Sequence, residues 1–212
     1  MKTLEEAAAS LYDENLPYHN FEHARSAVAI GKRMCERCTE EGIAIDEEVV
    51  EKALLFHDAG YQEDVKVKGF SSKEEYAAFL AKNTLEKFGF TEQFITQVCR
   101  AIISTHRDKS FETAEEKVVR ASDLAGLAGE YAEFLNNNIK LRQEAIMLSG
   151  KDITWTDWKE ATKKVVEFYV SQDIHLTKAY EDEKGESIFH TRAQKNLQAF
   201  LNAQSFQSDG IN

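Results

Sequence analysis

The sequence predicts an all-α fold of about eight helices. Three observations carry this expectation. Apolar residues recur at helical spacing along nearly the whole chain, while the alternation of a half-buried strand is almost absent. One proline and ten glycines leave few helix breakers in 212 residues. Ala, Glu, Lys and Leu, all strong helix formers, supply much of the remainder.

The elements follow in order. Pro17 and Asn20 place a helix start near Asn20. "ARSAVAIGKRMCERCTEEG" then sets Ala24, Ala27, Val28, Ile30, Gly31 and Met34 near one face and ends at Gly42. Asp46 caps "EEVVEKALLFHDAG", with Gly60 as its stop. Ser72 and Glu75 form a Ser-x-x-Glu capping box for a helix that stops at Gly89. Thr91 opens "TEQFITQVCRAIISTH", where Phe94, Ile95, Val98, Ile102 and Ile103 share a face. Thr113 caps "ETAEEKVVRASDLAGLAG". Three more helices are expected in "EYAEFLNNNIKLRQEAIMLSG", "TDWKEATKKVVEFYVSQ" and "TRAQKNLQAFLN". Connections are short except at residues 62–69 and about 173–190. With no repeat and no linker-like stretch, the expectation is one domain over residues 1–205 and a frayed tail at 206–212.

Composition narrows the function classes. The net charge of −11 argues against a nucleic-acid duplex as partner, because duplex affinity comes from neutralising phosphates. A small phosphate ester remains open to an acidic chain if a bound cation supplies positive charge. No apolar run approaches the ~18 residues that span a bilayer, so no membrane partner is expected. The acidic start "MKTLEEAAASLYDEN" does not read as a signal peptide. Three cysteines, an odd number without framework spacing, fit a reducing compartment, and a cytoplasmic location is expected. Cys35 and Cys38 form a lone C-x-x-C without the second pair of a zinc site or the βαβ setting of a redox motif.

Candidate chemistry begins with "LPYHNFEH", where His19 and His23 stand four apart. Further on, "ALLFHDAGY" places His57 and Asp58 together at the end of an apolar helix. Burying an imidazole and a carboxylate is costly unless both are paired or metal-bound. Neighbours i and i+1 point about 100° apart, so one cation receives both only near the helix end. Asp123, in "VVRASDLAGLAG", is another carboxylate among apolar neighbours; alone, it reads equally well as a buried charge in need of a partner or as an ordinary surface carboxylate, solvent-facing or paired to Arg120 or Lys117.

Taken in order, "NFEHA", "LLFHDAGY" and "ASDLAG" resemble the HD-domain metal-dependent phosphohydrolase superfamily, whose pattern is His, then His-Asp, then Asp on successive helices. "YHNFEHA" also resembles the Tyr-His-Asn-x-x-His-Ala start of cyclic-nucleotide phosphodiesterases. The resemblance covers residues 17–129 and implies an HD-type helical bundle. It assigns His23, His57, Asp58 and Asp123 as metal ligands, with Asp58 also catalytic. It assigns His19, outside the regular helix, as the acid that protonates the leaving group. The mixed N/O set suits Mn²⁺, Fe²⁺, Co²⁺, Ni²⁺, Zn²⁺ or Mg²⁺, and a cation there would activate water for attack on phosphorus. His106 in "IISTHRD" matches a second-metal histidine of two-metal members, which often carry two; Arg107 beside it is a candidate phosphate contact. Glu74 and Glu75 are weaker second-metal candidates that read better as surface residues.

The expected function is hydrolysis of a phosphate mono- or diester, with a nucleotide or cyclic nucleotide as substrate. Two alternatives are a di-iron HD-type oxygenase, which needs extra histidines, and a metal-binding regulatory module with little catalysis. His175 and His190 read as surface residues, and Trp155 and Trp158 as packing anchors.

Overall fold

A helix whose apolar residues spread over most of its circumference must be covered by several neighbours. "VVEKALLF", interrupted only by Glu51 and Lys52, is such a segment, and in the structure, a computed structural model describing residues 2–172 and 176–203, it forms the centre of the first of two compact units. The expected tail at 206–212 and His175 lie outside the described residues.

The first unit spans Met1–Ala125. It contains α1 (Leu4–Ala9), α2 (Phe21–Glu40), α3 (Glu47–Phe56), α4 (Lys73–Lys87), α5 (Glu92–Ile103) and α6 (Ala114–Asp123). Val49, Val50, Ala53, Leu54, Leu55 and Phe56 of α3 are all buried, and α1, α2, α4, α5 and α6 each pack against it. Gly31 on α2 permits the closest approach: a Cβ there would stand 2.5 Å from Leu54 Cδ1 and 3.1 Å from Val50 Cγ1. Cys35 and Cys38 lie on the same buried side of α2, and burial, then the neighbouring Cys38, pushes the Cys35 thiol up to about 12. All three cysteines are free, and the C-x-x-C pair serves as core.

The second unit, Gly126–Asn212, holds α7 (Tyr131–Ser149), α8 (Trp155–Val170) and α9 (Ile188–Asn202). Phe134, Val166, Ala193, Leu197 and Phe200 form its core, with Trp155 and Trp158 packed against it. Buried Asn138 accepts from Trp158 Nε1 at 3.2 Å and from Thr162 Oγ1 at 3.0 Å. Short 3₁₀ segments cover Leu124–Ala128 and Lys178–Tyr180. Among the described residues there is no strand, only an isolated bridge between Glu181 and Ser187.

The chain is all-α, as expected, with some differences in detail. The expected N-caps Asn20, Asp46, Ser72, Thr91 and Thr113 all cap helices. The short helix α1 is additional, and a Thr3–Glu6 capping box starts it. Helix α3 ends at Phe56, ahead of Gly60, and α6 at Asp123, ahead of Gly129. Helices α8 and α9 begin earlier than the quoted segments because Thr154 and Ser187 cap them. His190 therefore stands in the first turn of α9, half-buried, with Nε2 donating to the Gln172 carbonyl at 2.9 Å.

Candidate metal centre

The ends of three helices place the four core residues. Asn20 caps α2 by accepting from the backbone N–H groups of Glu22 and His23, which sets His23 in the first turn. His57 is the C-cap of α3, and Asp58 follows just outside the helix. Asp123 is the last residue of α6. Two helix C-termini meet here, and their exposed carbonyl dipoles favour positive charge.

The last turn of α3 is tied down from both sides. Tyr12 donates its hydroxyl to the Leu55 carbonyl at 2.9 Å, and His57 Nδ1 bonds the Leu54 carbonyl at 2.8 Å. These satisfy carbonyls that the helix end leaves over. Burial, reinforced by the Asp58 charge, pushes the Tyr12 hydroxyl well above its ordinary range, so it stays a neutral donor. The chain then leaves the helix in tight turns, with Ala59 N–H donating to Phe56 and Tyr61 N–H to Asp58. Gly60 makes this path possible: its φ is +72°, and a Cβ would lie 2.6 Å from the Tyr76 ring.

His23, His57, Asp58 and Asp123 each offer one ligand atom, and these atoms all lie within 4.8 Å of one another. His57 Nε2 is 3.0 Å from Asp58 Oδ2, 3.3 Å from Asp123 Oδ1 and 3.4 Å from His23 Nε2. His23 Nε2 is 3.3 Å from Asp123 Oδ1 and 3.5 Å from Asp58 Oδ2. A carbonyl can only accept, so His57 Nδ1 carries the proton toward Leu54, and neutral His57 turns a lone pair toward two carboxylates. That arrangement is repulsive unless a proton or a cation lies among the four atoms. Asp58 Oδ2 is buried with no hydrogen-bond partner.

The electrostatics express the same demand. Burial opposes charge on His57, but Asp58, together with the Asp123 contact, outweighs it and holds the imidazole well above its ordinary value. Burial likewise works to raise Asp58 and Asp123, yet the facing histidines hold both below the usual carboxylate range. Two imidazoles and two carboxylates match a divalent first-row ion, so the residues fit a metal.

Arg120, the basic neighbour of Asp123 on α6, is committed elsewhere. It is fully buried and donates to the carbonyls of Ser104, Thr105, His106 and Arg107 at 2.8–3.2 Å. It thereby secures the chain leaving α5.

One family model, that of the HD domain, matches residues 20–162. The chain belongs to the HD-domain family. No curated protein matches it significantly. HD domains are mostly metal-dependent hydrolases that bind divalent metals, and the four clustered residues of this HD protein are compatible with such a site. No helix among the described residues is long and apolar enough to cross a membrane.

The other candidates lie outside these four residues. His19 stands just before the helix that carries His23, with its ring edge-on to His23 at 5.9 Å between centroids. It is not one of the four clustered residues. Neither is His106, which is half-buried and accepts from the Asp108 N–H at 3.2 Å through Nδ1. Arg107 is exposed and lies 3.5 Å from Asp108. Glu75 accepts from the Ser71 N–H and hydroxyl, an exposed capping role. Sequence reasoning missed Tyr12 and Tyr61; Tyr61 stands in the quoted "HDAGY", and its ring lies flat on His19, 3.7 Å between centroids at 13°.

Proposed function

We propose that this HD protein is a metal-dependent phosphohydrolase that cleaves a phosphate mono- or diester, with a nucleotide or cyclic nucleotide as its substrate. The observation that supports it most is the convergence of His23, His57, Asp58 and Asp123 around a buried Asp58 oxygen that has no hydrogen-bond partner. These four residues would hold the cation. A divalent ion bound there would lower the pKa of water and take up charge on a phosphoryl oxygen. His57, fixed by Leu54, presents Nε2, and the two carboxylates balance the ion's charge. His19 supplies a proton to the leaving-group oxygen; its place beside the cluster, without membership in it, supports that division of work. The three free cysteines support a cytoplasmic location.

The test is metal analysis of the purified protein, followed by a panel of phosphomonoesters and phosphodiesters with added Mn²⁺. Bound metal and divalent-dependent hydrolysis are expected, and Asp58→Asn should lose both. A protein that binds no divalent ion overturns the reading. A fully active Asp58→Asn variant moves the site elsewhere.

A further inference from the structure

His19 lies in the segment before α2, outside any helix that would fix its direction. Its ring nevertheless has a built support. Tyr61 stacks on it with centroids 3.7 Å apart and planes 13° from parallel. Tyr61 is itself held by Lys73, whose Nζ stands 4.3 Å from the Tyr61 ring centroid and donates to the Tyr61 backbone carbonyl. The Tyr61 N–H closes a turn onto the Asp58 carbonyl at 3.1 Å, and Gly60 N–H bonds the Leu11 carbonyl at 2.9 Å. The stack therefore joins His19 to the same turn that carries Asp58.

We propose that Tyr61 is a positioning residue for His19, and that Lys73 braces it. The inference rests on the phosphohydrolase reading. In the step concerned, a water oxygen bonds to phosphorus while the bond from phosphorus to the leaving-group oxygen breaks. The electron pair stays on that oxygen, and the His19 proton joins it. The proton released by the water restores His19 through solvent. Transfer needs the imidazole within hydrogen-bond reach of the leaving oxygen, and a ring free to swing would spend little time there. Stacking needs only an aromatic face, so the tyrosine hydroxyl is dispensable to this role.

The experiment compares wild type, Tyr61→Phe and Tyr61→Ala, each metal-loaded, on 4-nitrophenyl phosphate and on esters of unactivated alcohols (nucleoside monophosphates and cyclic nucleotides). Nitrophenolate leaves readily without a proton, whereas an alkoxide does not. Tyr61→Ala should lower kcat on the unactivated esters by about 10²-fold, with a much smaller loss on the nitrophenyl ester. KM and metal content should be little changed, and Tyr61→Phe should retain activity. In a His19→Ala background, adding Tyr61→Ala should cost nothing further.

Equal losses on both esters, or additive losses in the double variant, overturn the inference alone. If wild type hydrolyses no ester, the phosphohydrolase reading falls and this inference with it. NMR supplies a readout independent of turnover. The His19 ring protons should be shifted upfield by Tyr61 in wild type and in Tyr61→Phe, and return toward ordinary positions in Tyr61→Ala. Resonances unmoved by Tyr61→Ala rule out the stack.

Discussion

His57 Nδ1 bonds the carbonyl oxygen of Leu54 at 2.8 Å, and this one contact decides which nitrogen His57 presents to Asp58. The bond lies within a single turn of the central helix, so the orientation is set as soon as α3 forms. Replacing His57 with Gln removes both the ring and its fixed aim. Affinity for Mn²⁺ or Zn²⁺ in a calorimetric titration should fall by more than about 100-fold. Unchanged affinity would show that His57 is no ligand.

A second prediction concerns pH. In the metal-free protein His57 has a raised pKa in the folded state, so its contribution to stability is fully present below about 6.5 and is lost as pH rises through the folded value. Asp58 and Asp123 have lowered values, so theirs is present above about 3.9 and is lost as pH falls. The cluster therefore stabilises the metal-free fold most in mildly acidic solution. A cation replaces the His57 proton, so the gain in Tm on adding metal should widen as pH rises from 6 toward 8, with protons released on binding. Melting curves with chelator and with metal check this, and a gain that shrinks with pH contradicts it.

His19 and His23 are four residues apart yet stand in different settings, one before the helix and one in its first turn. His19→Ala should lower kcat on unactivated esters by about 10²–10⁴-fold while keeping the full metal content. His23→Ala should lose the metal. If His19→Ala also loses it, the two histidines are both ligands and the proposed division of roles is wrong.

What was legible in the sequence was local. The caps at Asn20, Asp46, Ser72, Thr91 and Thr113 act within three residues, and each was readable from its own neighbourhood. His57 and Asp58 stood out because burying imidazole and carboxylate together is costly, but the full set with His23 and Asp123 was readable only through the resemblance of "NFEHA", "LLFHDAGY" and "ASDLAG" to the HD pattern. The ends of α3 and α6 were less visible: Gly60 looked like the stop of α3 and the α6 segment was quoted through Gly129, but the helices end at Phe56 and Asp123. The following residues turn through tighter bonds, such as Ala59 to Phe56, that still resemble helix in sequence. Contacts between distant segments were not legible at all. Nothing in "HDAGY" says that Tyr61 will meet His19, and nothing near Tyr12 says that it will reach Leu55.

Arg120 is the case where a sequence-level pairing is replaced by a different one. Three residues before Asp123 on the same helix, it was a candidate partner for that carboxylate. In the fold its guanidinium points to the carbonyls of Ser104, Thr105, His106 and Arg107 instead. The end of α5 is thus capped by a charge from α6, and Asp123 is left to the cluster. Arg120→Met preserves much of the buried volume but removes every donor, leaving several buried carbonyls without that partner. Stability should fall by on the order of 3 kcal/mol, read as a lowered denaturant midpoint. Because Asp123 does not depend on Arg120, the folded variant should still bind metal with near wild-type affinity. Loss of affinity without loss of stability would mean that Arg120 acts on the metal centre directly.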